Sequence, residues 1–469
     1  MTPNRSPGLF PEAICLLLSA LFATLIAAGA HLLINLLLAP FLYIAFTLPA
    51  RRVILFSLAY AGIISAVLFR WISGYNSDFF LYAWLAITLF FILFSILLVA
   101  GRWSLRPRFH LLLPPLIWYL IYSILNATPL GGYWLEPAVF QTRFGFLLSL
   151  VGAIGVSFLT LALNSAIALA AIQRKPRAWM PVAVLSFVFA VGLYRPVLPQ
   201  PPGDGITVAL VQGNFQEPWI WRQKHAYHPI LDRYRALTEK AAARHPDLIV
   251  WPEYALPLDV LSDNPGLLRK IQALSAQLDG LLVIGSVLKV SDHRHYDALL
   301  MFWKGKLVDR YSSVRPILFN EETQAAPLEN RIYNDRLRFG PVVCYEETQS
   351  DLFYNYARLG ARFFVSAVNT QDFGEGTDLA SLFGQLRSAE AGRYLVRASN
   401  TGVTAIIDPI GRVIQRLAPG QEGVLTGTIY PQHDKTLYAR FGDSVLIGLM
   451  AGLLLLSRSG WHRPGSPLQ

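Results

Sequence analysis

The chain has 469 residues, of which 54% are hydrophobic and only 15% are charged. Its mean hydropathy of +0.41 excludes an ordinary soluble globular protein, so membrane segments come first. The formal net charge of +10 sits largely in short loops between apolar runs and gives no reason to expect a nucleic-acid partner.

Apolar runs fall at residues 12–31, 32–50, 53–72, 78–100, 110–127, 144–172 and 179–196, with a last one at 442–457. Most approach the length a helix needs to cross ~30 Å of hydrocarbon. Gly29-Ala30-His31 is the only visible break between the first two. The second run carries Asn35 and Pro40, and the fifth carries Pro114 and Pro115, so these are the least regular. Arg51-Arg52, the Arg102 to Arg108 cluster, Arg174-Lys175-Arg177 and Arg458 with Arg463 all fall on one side if every run crosses. The opposite loops, Ser73 to Asp78 and Thr128 to Gln141, hold neither Lys nor Arg. The positive-inside rule then puts both termini in the cytoplasm and residues 203–436 on the outer face. Arg70, Arg143 and Arg195 run against this pattern. A cleaved signal peptide is not expected, because no small-residue site followed by polar chain ends the first run.

Leu198-Pro199-Gln200-Pro201-Pro202-Gly203 marks a linker, and beyond it strand and helix patterns alternate. Strands are expected at 206–213, 247–252, 281–290, 296–303, 307–311, 338–344, 362–368, 402–408 and 412–417. Helices are expected at 225–244, 259–278, 348–359 and 382–396. This predicts an α/β sandwich of one domain. The organisation is a membrane domain of about seven helices at 1–200, an extracytoplasmic domain at 203–436, and a C-terminal helix and tail at 437–469.

Two of these strands end in chemistry. Phe339-Gly340-Pro341-Val342-Val343 is followed by Cys344-Tyr345-Glu346, and Asp247-Leu248-Ile249-Val250-Trp251-Pro252 by Glu253. The other cysteine, Cys15, lies in an apolar run, so the outer domain can form no internal disulfide. A lone cysteine is as readily a small buried hydrophobe as a nucleophile. A second strand end offering a carboxylate shifts the reading toward a base–nucleophile pair.

These residues, with Val211-Gln212-Gly213-Asn214, Trp221, Trp251-Pro252-Glu253-Tyr254-Ala255-Leu256-Pro257 and Arg397-Ala398-Ser399-Asn400-Thr401-Gly402, resemble the bacterial apolipoprotein N-acyltransferases. Those are membrane-bound members of the nitrilase superfamily. The resemblance implies a polytopic α-helical membrane domain plus an α/β nitrilase-like αββα sandwich, in the bacterial inner membrane and facing the periplasm. It implies Cys344 as nucleophile, Glu253 as general base, and Glu321 and Glu346 as supporting acids. Trp221, Tyr345 and Phe373 match pocket positions. The implied reaction moves an acyl chain from a phospholipid, through a cysteine thioester, to the N-terminal amine of a lipoprotein. Membrane lipids are then partners, and no metal or cofactor is expected. Plainer roles stand beside these: a surface carboxylate for Glu321, a helix cap for Glu346, core aromatics for Trp221 and Tyr345.

The match departs from the family at two points. The family's catalytic lysine lies in a segment that begins Arg-Tyr-Asp-Lys, and here Arg310-Tyr311-Ser312-Ser313 puts Ser313 at that position. No lysine occurs from Leu307 to Asp434, and Arg315 is the nearest cation in sequence, with a surface or headgroup contact as its plainer role. Further on, Asp372 stands where the family carries tryptophan, beside Phe373. Two alternatives to the acyltransferase follow. One is a non-catalytic relative binding lipid or a partner, as in nitrilase-like membrane proteins encoded with conjugation systems. The other is a membrane-tethered amidase.

Overall fold

The computed structural model describes residues 10–75, 77–104, 109–126, 135–194, 205–216, 227–317, 322–329, 331–370, 376–444, 447–448 and 452. The chain forms two units. One comprises Met1–Gln141, Val151–Leu193 and Asp443–Gln469, the other Thr142–Leu150 and Tyr194–Gly442.

Apolar runs in the first part of the chain become helices α1 (Phe10–Ala27), α2 (Ala39–Thr47), α3 (Ala50–Leu68), α4 (Ser77–Ser104), α5 (Leu113–Asn126), α6 (Gly145–Gln173) and α7 (Met180–Gly192). Three segments, Ala50–Leu68, Phe80–Trp103 and Gly145–Gln173, are long and apolar enough to cross a membrane. Along α4, Leu81, Leu85, Leu89, Leu93 and Ile96 form an exposed stripe, while Phe90, Phe91, Phe94 and Leu98 are buried. Water would not tolerate such a stripe, and hydrocarbon does.

The second and fifth runs are irregular for the reasons their prolines suggest. Pro40 cannot donate a backbone hydrogen bond, and the chain breaks just before it. The side-chain oxygen of Asn164 accepts from the backbone N–H of Leu38 and Ala39 at 3.0 and 2.9 Å, so the break leaves no orphan donor. Pro114 and Pro115 fall in the first turn of α5, where the missing N–H is harmless. Most of the expected run at 442–457 lies outside the described residues.

The second unit contains two sheets. Strands β1 (Ile206–Gln212), β2 (Leu248–Val250), β3 (Leu281–Ser291), β4 (Arg294–Trp303), β5 (Lys306–Ser312) and β11 (Gly423–Ile429) make one, ordered β11-β1-β2-β3-β4-β5. Strands β6 (Phe339–Val343), β7 (Phe363–Val368), β8 (Tyr394–Ser399), β9 (Thr404–Ile407) and β10 (Val413–Leu417) make the other, ordered β10-β9-β8-β7-β6. Period-two alternation sorts their side chains. Val208 and Leu210 enter the core that also holds Val342 and Phe364. Ala209 and Val211 turn to the layer of Ile230 and Tyr234 on α8 (Tyr227–Ala242) and Ile271 on α9 (Pro265–Ala276). Helices α10 (Ser350–Leu359) and α11 (Thr377–Ala391) complete the helix–sheet–sheet–helix sandwich.

Two elements differ from the sequence pattern. The helix expected at 382–396 ends at Ala391, because Gly392 adopts a left-handed φ of 65° and caps it. Residues 394–399 are the central strand β8, disguised by Arg397, whose charge is buried against Glu347. Strand β11 was not expected either, and it closes the first sheet antiparallel to β1.

Candidate active site

Strands β2, β6 and β7 are parallel to their neighbours, so their C-terminal ends can deliver side chains to a common place. After β2, the Glu253 carboxylate is buried, and its Oε2 accepts the backbone N–H of Asn369 at 2.7 Å. Asn369 follows β7, and its carbonyl lies 4.0 Å from the Cys344 Sγ at the end of β6. Asn369 thus joins the two groups, its N–H donating to the Glu253 carboxylate and its carbonyl facing the Cys344 sulfur, and the Glu253 charge acts on the thiol.

The backbone is bent to achieve this. Cys344 has φ +47°, Tyr254 φ +52° and Asn214 φ +51°, a region that non-glycine residues seldom occupy. Strain of this kind persists only where the surroundings over-determine it. Gly285 supplies one constraint: a Cβ there would lie 1.9 Å from the Pro252 carbonyl oxygen, so no side chain fits beside the Glu253 turn. Asn400 supplies another, since its amide pairs with both N–H and C=O of Phe215 at 3.0 and 2.6 Å.

Glu346 is fully buried and acts as an acceptor hub. It takes hydrogen bonds from the Tyr311 hydroxyl at 2.8 Å and from the backbone N–H of Val314, Arg315 and Val343 at 2.7, 3.1 and 2.8 Å. The loop after β5 is thereby fastened to the strand that presents Cys344. Burial raises the Glu346 carboxyl above the usual range, and those donors oppose the rise.

Burial also holds the Cys344 thiol well above its ordinary value, helped by the Glu253 carboxylate and opposed by the Asn369 backbone. At rest the pair is a neutral thiol beside a base. A carboxylate so placed can accept the thiol proton as sulfur attacks a carbonyl carbon.

Ser313 is buried and its hydroxyl has no hydrogen-bond partner among the described residues, while its backbone N–H donates to Asp297 O at 2.7 Å. Arg315 bonds the Gln349 side chain at 3.0 Å and forks onto Asp351. Tyr345 is half-buried in the turn after Cys344. Trp221, Glu321 and Phe373 lie outside the described residues.

Four neighbours were assigned no role from the sequence. Asn369 joins Glu253 to the cysteine turn. The Tyr254 hydroxyl donates to Asp297 Oδ1 at 2.6 Å, and His295 Nε2 lies 3.4 Å from the same oxygen. His295 in turn lines a cavity of about 620 Å³ with Leu258, Val287 and Glu322. Among the described residues, no cluster of His, Cys, Asp and Glu suits a metal ion.

The carbon-nitrogen hydrolase family model matches residues 207–433. The apolipoprotein N-acyltransferase of Shewanella oneidensis is 29% identical over 402 residues, 76% of this chain and 75% of that protein. That of Photobacterium profundum is 26% identical over 405 residues, 78% and 77% of the two chains. That of Chromobacterium violaceum is 31% identical over 293 residues, 56% and 55%. Among solved structures, a nitrilase-superfamily amidase from Nesterenkonia matches with a TM-score of 0.43 at 14% identity, over 53% of this chain and 98% of its own.

Proposed function

We propose that this chain, which belongs to the apolipoprotein N-acyltransferase family, carries an acyl chain from a phospholipid through a thioester on Cys344 to the N-terminal amine of a lipoprotein. The observation that supports the reading is the junction at Asn369, whose N–H donates to the Glu253 carboxylate at 2.7 Å and whose carbonyl lies 4.0 Å from the Cys344 Sγ. Glu253 takes the thiol proton as sulfur adds to the ester carbonyl. The tetrahedral adduct collapses by breaking the C–O bond, and the departing lysophospholipid oxygen recovers that proton. In the second half the lipoprotein amine attacks the thioester, Glu253 accepts the amine proton, and sulfur leaves and is reprotonated. Tyr345, Trp221 and Phe373 are assigned to the acyl pocket by their motif positions, and Glu321 to a supporting acid. The test is transfer from phosphatidylethanolamine to a synthetic diacylglyceryl-cysteine peptide, with Cys344→Ala as control. Hydrolysis of the donor without peptide acylation would make water the acceptor and overturn the reading.

The oxyanion needs a donor, and the family lysine is absent. Ser313 stands at that position with a buried hydroxyl that has no partner among the described residues, whereas the Arg315 guanidinium is held by Asp351. We assign the donor role to Ser313 and a loop-holding role to Arg315. Removing one oxyanion donor costs on the order of 10²–10³ in rate. Ser313→Ala should therefore slow Cys344 acylation by about that factor, and Arg315→Ala by far less. Ser313→Lys should match or exceed the parent. Acylation by Ser313→Lys alone, with none in the parent, would favour a binding protein that has lost catalysis.

The setting we assign is the bacterial inner membrane, with residues 203–436 in the periplasm. The arginine and lysine bias of the opposite loops supports this orientation. Reporter fusions at Gly203 and Gln432 should both give periplasmic signals, and cytoplasmic signals at both would end the assignment.

A further inference from the structure

We propose that the start of α6 carries a phospholipid-headgroup site separate from the Cys344 site. A cavity of about 510 Å³ is lined there by Arg143, Phe146, Tyr194, Arg412, Val413 and Ile414 among others, all within the second unit. Among the described residues, no carboxylate lines it. Arg143 is exposed and makes no hydrogen bond or ion pair among the described residues, while Arg412 is paired with Asp408 behind the wall. Around these cations the surface is apolar and aromatic. Tyr194, Val413 and Ile414 are 64%, 37% and 46% exposed, and Tyr194 meets Phe146 edge to face at 6.1 Å.

The pairing of an uncompensated cation with exposed hydrocarbon suits neither water nor a protein core. It suits a phosphodiester with glycerol and acyl chains below it. In sequence, Arg143 stands just before Gly145–Gln173, a segment long and apolar enough to cross a membrane, which is kinked at Gly152. Tyrosine is also a residue of the membrane–water boundary. Arg143 runs against the charge bias that orients the chain, so a lipid phosphate gives this outer-side cation a reason to exist.

The cavity is not the acyl-transfer site. Ile407 at the end of β9 pairs with Leu395 near the start of β8, so the turn to β10 lies at the starting end of β6, β7 and β8. Cys344 follows the opposite end of β6. At ~3.3 Å per residue the two are separated by on the order of 15 Å. A lipid held here is retained, not consumed.

Native mass spectrometry of the full chain in detergent, titrated with phosphatidylglycerol, tests this. The parent and Arg143→Lys should retain one lipid that Arg143→Glu binds on the order of tenfold more weakly. Ile414→Asp should weaken it with Arg143 intact, which covers misfolding of the arginine variants. Cys344→Ala should keep the lipid; its loss would mean the retained molecule was the acyl donor and would overturn the proposal. Displacement by millimolar inorganic phosphate would identify a free-phosphate site and also overturn it, as would equal retention by every variant.

Discussion

Glu253→Gln is expected to separate two properties of Cys344 that a single base controls. Removing the carboxylate takes away the Glu253 charge that raises the thiol, leaving burial and the smaller effect of the Asp297 charge. The pH at which iodoacetamide labels Cys344 should therefore move down, because thiolate becomes easier to form. Acylation by phospholipid should nevertheless fall by on the order of 10²–10⁴, since the group that accepts and returns the proton is gone. Labelling that moved up, or acylation unchanged, would remove Glu253 from the role of base. Loss of folding would also expose the thiol and lower that pH, so an unfolding midpoint equal to the parent's is the control that tells the two apart.

Glu346→Ala is expected to produce the largest stability loss of any single change near the site. It strands four donors, the buried Tyr311 hydroxyl and Val343 N–H and the part-buried N–H groups of Val314 and Arg315. Each unsatisfied donor costs about 1–3 kcal/mol, and partial relaxation leaves a net of about 4 kcal/mol or more. Denaturant unfolding of the full chain in detergent measures it, with Tyr311→Phe as a milder comparison that should lose about 1 kcal/mol. Glu346→Gln keeps one acceptor oxygen and should fall between. A Glu346→Ala midpoint within about 0.5 kcal/mol of the parent would deny the hub its structural role. Glu346 thus reads as a residue that positions Cys344 and the Ser313 loop together, a wider task than capping the turn in which it lies.

The pattern of Glu253 and Cys344 was legible because each follows an apolar strand, β2 in one sheet and β6 in the other. The layers of the sandwich were legible for the same reason: β1 alternates its side chains between two cores, and period two is visible in Ile206-Thr207-Val208-Ala209-Leu210-Val211. Strand β8 was hidden because a charged residue in a central strand breaks the apolar pattern until its partner is known, and Glu347 lies 50 positions away from Arg397. Asn369 was hidden in the same way, since its bond to Glu253 spans 116 positions. The same holds for Asp297, which Tyr254 reaches across 43 positions. Local sequence carries the strand ends; the polar contacts that hold them depend on the assembled sheets.

Acylation of Cys344 itself is the most direct test. The purified full chain, incubated with phosphatidylethanolamine and digested, should yield a peptide containing Cys344 heavier by one acyl group. Neutral hydroxylamine should remove that mass, as it does for a thioester, and the adduct should be missing from Glu253→Gln at early times. An unmodified Cys344 peptide with every phospholipid donor tried, in protein that still binds lipid, would contradict acyl transfer through this cysteine.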